Sequence, residues 1–158
     1  MLAEQPTFTQ INGLRAYQGG FFRVLVSPGQ TDGSLAIIDI TLPKGSEPPR
    51  HLHTREDETF YIIDGSVQFE IGDTLTDGKV GQAVFAPRNI EHQFTIQTDK
   101  ARMLTVITPG DFVNYFLEFS QPIADEPTSL QAPQGPPPTD VVARLVSRLT
   151  SRFGAQFV

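Results

Sequence analysis

Between Phe21 and Pro109 the chain breaks into short apolar and β-branched runs that recur about every ten residues, a spacing that suits many short strands and no long helix. The runs "FFRVLVS" (21–27) and "SLAIIDITL" (34–42) are separated by the turn-rich "PGQTDG". Beyond the proline-rich "PKGSEPPR" come "ETFYIIDG", "SVQFEIG", "QAVFAP", "HQFTIQ" and "ARMLTVITP", each bounded by Gly, Pro, Asp or Asn. With 13 Gly and 13 Pro in 158 residues, this punctuation implies one all-β domain, a sandwich or a barrel, with a sizeable core. Tyr61, Ile62 and Ile63 are consecutive apolar residues and predict a strand covered on both faces.

Two segments carry a helical period instead. "DFVNYFLEFSQ" predicts a short helix over 111–121 with Asp111 as N-cap; its Phe112, Tyr115, Phe116 and Phe119 read as core or interface packing rather than a ligand box. The barrel domain is therefore drawn over residues 1–122 and a stiff Pro-rich linker over 123–138. An amphipathic helix is expected over 139–158, with an apolar stripe of Val141, Val142, Leu145, Val146, Leu149 and Phe153. Arg144, Arg148 and Arg152 share another face, suited to docking on the acidic body or on a partner subunit. This much apolar surface predicts a homodimer.

Eighteen acids against twelve basic residues give a net charge of −6 with no basic run, which argues against nucleic-acid and anionic-membrane partners. The absence of cysteine excludes disulfides, thiolate metal sites and cysteine nucleophiles. The polar start "MLAEQPTFTQ" lacks the apolar core of a signal peptide, and no run is long enough to span a bilayer, so a cytoplasmic protein is expected.

The chemistry concentrates in "HLHTREDETFYIIDG" (51–65). On a strand, His51 and His53 put both imidazoles on one face with Cα atoms about 6–7 Å apart, so one ion is within reach of both. Glu58 shares parity with Phe60 and Ile62, and a hairpin-like reversal after "TRED" would return it beside the histidines. Asp57 has the opposite parity, and Glu56 falls in the expected turn. The third histidine, His92, alternates with Phe94 and Ile96 and is expected to point inward, after a turn marked by Pro87 and Asn89.

Gly45, His51, His53, Glu58 and Gly65 stand at the spacings of the first signature motif of the cupins, and Gly81, Pro87 and His92 follow the second. Asn89 stands where that motif has Gly, and Ile96 where it has Asn. The stretch from Phe21 to Pro109 thus resembles the cupin superfamily. The resemblance implies a double-stranded β-helix, or jelly-roll barrel, followed here by short C-terminal helices. It further implies that His51, His53, Glu58 and His92 bind one divalent metal ion per chain. Every histidine of the chain sits in a ligand slot. Imidazole and carboxylate suit Fe, Mn, Ni, Cu or Zn, and such a set leaves coordination positions open.

The same stretch resembles small single-domain bacterial cupins of the quercetin dioxygenase-like kind. That likeness implies a metal-dependent dioxygenase acting on an aromatic or enolisable small molecule, with Glu58 both ligand and catalytic base. Phe60, Ile62, Phe69, Phe85 and Phe94 would wall a dry pocket, and core packing explains them equally well. Two other readings stay open: a metal-dependent isomerase or lyase of a sugar or keto acid, and a non-catalytic cupin that binds a metal or small ligand.

Overall fold

The computed structural model describes residues 11–158, so the polar opening stretch read above lies outside the described residues. Two antiparallel sheets share one core. The seven-stranded sheet runs, in spatial order, β11 (Gln121–Ile123), β1 (Leu14–Tyr17), β2 (Gly20–Val26), β3 (Ala36–Pro43), β10 (Lys100–Thr108), β5 (Asp57–Asp64) and β8 (Ala83–Ala86). The five-stranded sheet runs β12 (Ala155–Phe157), β4 (His51–His53), β9 (His92–Ile96), β6 (Val67–Ile71) and β7 (Thr74–Gly78). All seven strands predicted from the apolar runs form, and the architecture is the all-β jelly roll.

Strand parity does the sorting. Ile38 and Ile40 of β3, Phe60 and Ile62 of β5, and Met103 and Ile107 of β10 are buried, while most of the residues that alternate with them are more exposed. The two-faced cover expected for β5 is corrected by the same rule: Ile62 is buried, but Tyr61 is 43% exposed and Ile63 half-buried. On that face Tyr61 pairs across strands with Leu104 and Ala83.

The helices depart from expectation at their ends. A 3₁₀ turn, Gly110–Phe112, leads into α1 (Val113–Glu118), with Phe112 rather than Asp111 at the cap position. Asp111 instead accepts hydrogen bonds from Arg152 and Asn114. Gln121, expected to end the helix, opens β11.

The C-terminal helix is shorter than its apolar stripe suggests. α2 (Thr139–Arg148) continues as a π-helical turn, Leu149–Phe153, and then gives way to β12, so residues 155–157 are a strand. Gly154 makes the break: its φ of 66° is left-handed, and a Cβ there would lie 2.6 Å from Thr54 Oγ1. The segment docks on the chain's own body. Arg148 forks onto Glu118 at 2.7 and 2.8 Å, Arg152 reaches Asp111 at 2.9 Å, and Arg144 lies over the Phe119 ring. Leu149 and Phe153 are buried, whereas Val142 and Val146 face solvent. No helix among the described residues is long and apolar enough to cross a membrane.

Candidate metal centre

The four residues singled out in the sequence come together between the sheets. His51, His53, Glu58 and His92 each offer one ligand atom, and these atoms all lie within 4.8 Å of one another. His51 and His53 point from one face of β4, and His51 sits opposite His92 of β9 in the ladder. Glu58 arrives differently from the expected hairpin. It stands on β5 of the opposite sheet and faces the imidazoles across the interior, because the chain crosses between sheets after His53 instead of folding back.

Local structure aims each group. His51 Nδ1 lies 2.8 Å from the Pro49 carbonyl, which it meets as donor, leaving Nε2 with its lone pair. Arg50 fastens the start of β4 by reaching Glu70, Glu91 and the Gly72 carbonyl. On the other side Thr54 donates from N and Oγ1 to the Gly154 carbonyl, at 2.9 and 2.6 Å. Asn89 adopts φ 64°, the left-handed turn that the motif's Gly would make, and its N–H donates to the His53 carbonyl at 2.7 Å. Ile96 is fully buried in the core. Asp57 faces outward and pairs with Arg88, as its parity requires.

Glu58 Oε2 stands 3.0 Å from His92 Nε2 and 3.2 Å from His53 Nε2. Burial alone would raise its carboxyl, but the two imidazoles outweigh that and hold it well below the usual carboxylate range. For His53, burial pulls the ring down, and the Glu58 carboxylate outweighs it to give a net rise. Burial, followed by the neighbouring His53, lowers His51 to about 4. Behind His53, Glu56 Oε2 lies 3.8 Å from Nδ1, and burial pushes this carboxyl up to about 6.

Among the described residues neither ring nitrogen of His53 has a hydrogen-bond partner of good geometry, although the residue is only 2% exposed. A buried, unsatisfied donor or acceptor costs about 1–3 kcal/mol. A cation among three imidazoles and a carboxylate would take up one of these two nitrogens, so the cluster is compatible with a bound metal ion.

The cluster opens on a cavity of about 80 Å³. Phe60 and Phe94 line it, as expected; Ile62 and Phe69 lie in the core without reaching it, and Phe85 is 56% exposed on the outer face of β8, where Val84 and Ala86 take the inward positions. Sequence reasoning missed much of the rest of the wall. Leu149 and Phe157 bring the C-terminal segment to the wall, and Tyr17 and Tyr115 bring two hydroxyls. The helical spacing of Tyr115 with Phe112 and Phe116 marked it as packing only, and the four-residue β1 gave Tyr17 no periodic signal.

A family model described as a cupin domain matches residues 38–108. This chain carries a cupin domain. Quercetin 2,3-dioxygenase of Bacillus subtilis (strain 168) is 27% identical to it over 105 residues, covering 63% of this chain and 30% of that enzyme. The chain thus spans less than a third of the length of this curated relative. Among solved structures, KdgF from Halomonas sp. superposes with a TM-score of 0.55 at 16% identity, covering 62% of this chain and 86% of KdgF. An RmlC-like cupin from Shewanella frigidimarina NCIMB 400 gives 0.55 at 19% identity, covering 70% and 96% respectively. At these identities the cupin fold is what is shared.

Proposed function

We propose that the cupin domain is a metal-dependent dioxygenase, with one divalent ion per chain held by His51, His53, Glu58 and His92 and an aromatic or enolisable small molecule as substrate. The observation that carries it is the convergence of the four donors within 4.8 Å of one another, among them the buried His53, neither of whose ring nitrogens makes a hydrogen bond of good geometry among the described residues. The bound ion would supply positive charge that favours the enolate form of the substrate and open positions for oxygen donors. The chain's residues do the rest. Glu58 stays ionised, and the carboxylate oxygen not engaged in holding the ion would accept the substrate's proton. Ile38, Ile40, Phe60, Met103 and Phe116 exclude water around it.

The lining favours this reading over a sugar isomerase, since a sugar needs polar partners for several hydroxyls and most of these walls are apolar. Metal analysis of protein from its native host, paired with His53→Ala, tests the site; the variant should lose at least an order of magnitude in metal affinity, more than an outer-sphere change. Oxygen uptake with a panel of phenols and diketones tests the reaction. Glu58→Gln should keep part of the metal and lose about 10²–10⁴ in rate. Anaerobic isomerisation of sugars without any oxygen uptake would move the assignment to the isomerase class.

The outer face of β5 and β8 supports a homodimer, because Tyr61 and Phe85 are 43% and 56% exposed on adjacent strands. Light scattering at micromolar concentration would show a single-chain mass if this is wrong.

A further inference from the structure

The cavity has a second polar end. Tyr17 of β1 and Tyr115 of α1 line it together, and their hydroxyl oxygens are 3.1 Å apart. The Phe112 ring links this pair to the candidate metal centre along the cavity wall: its centroid is 4.5 Å from that of His53 and 5.0 Å from that of Tyr115, against which it stacks. Phe22 and Phe116 brace Tyr17 from the side, with centroids 6.0 and 5.3 Å away.

Two phenols carry two hydrogens. One of them serves the bond between the pair, and among the described residues neither hydroxyl has another acceptor for the second. Burial raises both phenols above the ordinary tyrosine value, Tyr17 far above it, so the pair donates and does not act as a base. An O–H left without an acceptor in an apolar wall is costly, and the natural acceptor is an oxygen of whatever occupies the cavity.

We propose that Tyr17 and Tyr115 form a ligand-binding pole that donates one hydrogen bond to a carbonyl oxygen, which makes the ligand a compact oxo compound lying between this pair and the imidazole cluster. Size sharpens the class. A cavity of about 80 Å³ is far smaller than the roughly 300–1,000 Å³ of sites that take drug-sized ligands, so it suits a compact molecule and not a flavonol. The inference rests on the metal reading only for the far end of the ligand; the tyrosine pole needs no ion.

The test uses cyclopentanone as probe, titrated into metal-free and zinc-loaded protein carrying ¹³Cζ-labelled tyrosine and followed by NMR, with zinc content measured separately. The ketone should shift the Tyr17 and Tyr115 ¹³Cζ signals in the metal-free protein. Tyr17→Phe/Tyr115→Phe should weaken ketone binding about five- to tenfold, the worth of one neutral hydrogen bond, with zinc content unchanged. One single variant should reproduce the loss of the double variant and so identify the ligand-facing hydroxyl. Unmoved tyrosine signals in the wild type, or binding by the double variant within twofold of wild type, would overturn the tyrosine pole. Failure to hold zinc with the ketone response intact would overturn the metal reading alone.

Discussion

The seven-stranded sheet presents Ile38, Ile40, Phe60 and Met103 to the cavity together with one carboxylate, Glu58; the five-stranded sheet presents the three imidazoles. Glu58 stands on the eight-residue β5, flanked by β10 and β8 and paired on both sides, with Ile107 and Ala86. His51 and His53 stand on the three-residue β4, which meets β9 only at His51 and His92 but pairs with β12 along its whole length. The wall and the carboxylate are thus built into long ladders, whereas two of the three imidazoles depend on a strand held mainly by the C-terminal segment. In this cupin domain the geometry of the nitrogen donors is the less secure half of the site.

The largest effect should come from removing the anchor of that segment. Phe153→Ala, at a residue 1% exposed, should cost about 3–5 kcal/mol in urea unfolding, and zinc affinity should fall with it as β12 releases β4. Unchanged zinc affinity in a destabilised variant would show that β9 alone orders the histidines. Gly154→Ala should act in the same direction at about 1–3 kcal/mol, because it places a Cβ against Thr54 at positive φ.

Proton linkage comes next, since its contributions oppose one another. His51 is lowered to about 4 from 6.5, so the metal-free fold loses stability as pH falls from about 6.5 through 4; the depressed Glu58 carboxyl adds a loss at lower pH. His53 is raised, so its contribution is full below 6.5 and disappears as pH rises through its folded value. Imidazole ¹⁵N shifts of metal-free protein at pH 5.5 should therefore find His51 neutral and His53 charged. The reverse pattern would mean that the carboxylate faces a different ring.

Arg102→Ala supplies the small end of the scale. Arg102 forks onto Asp39 on the outer face of the seven-stranded sheet and is half-exposed, so its loss should cost less than about 1 kcal/mol and leave zinc affinity alone.

The long strands were legible because one buried face imposes a period of two on residues such as Ile38, Ile40 and Leu42. The four clustered residues were legible because motif spacing records where a strand turns, and Asn89 reads correctly because few residues tolerate its backbone angle. β1, β11 and β12 were not, since three or four residues are too short to show a period, and the partners of β11 and β12 lie far along the chain. Glu56 was assigned to a turn, yet it is 3% exposed behind His53; tertiary cover overrode local polarity there. The tyrosine pair joins positions 98 residues apart, a juxtaposition that no local pattern encodes.

The pairing of β12 with β4 makes the two ends of that contact thermodynamically reciprocal: whatever tightens the imidazoles must tighten the strand beside them by the same free energy. The sequence contains no cysteine, so Gln156→Cys would carry the only thiol, and a dye attached there would sit on the edge strand beside Leu52. Ion occupancy could then be read as fluorescence from a position that contributes no ligand, turning a neighbouring strand into a reporter.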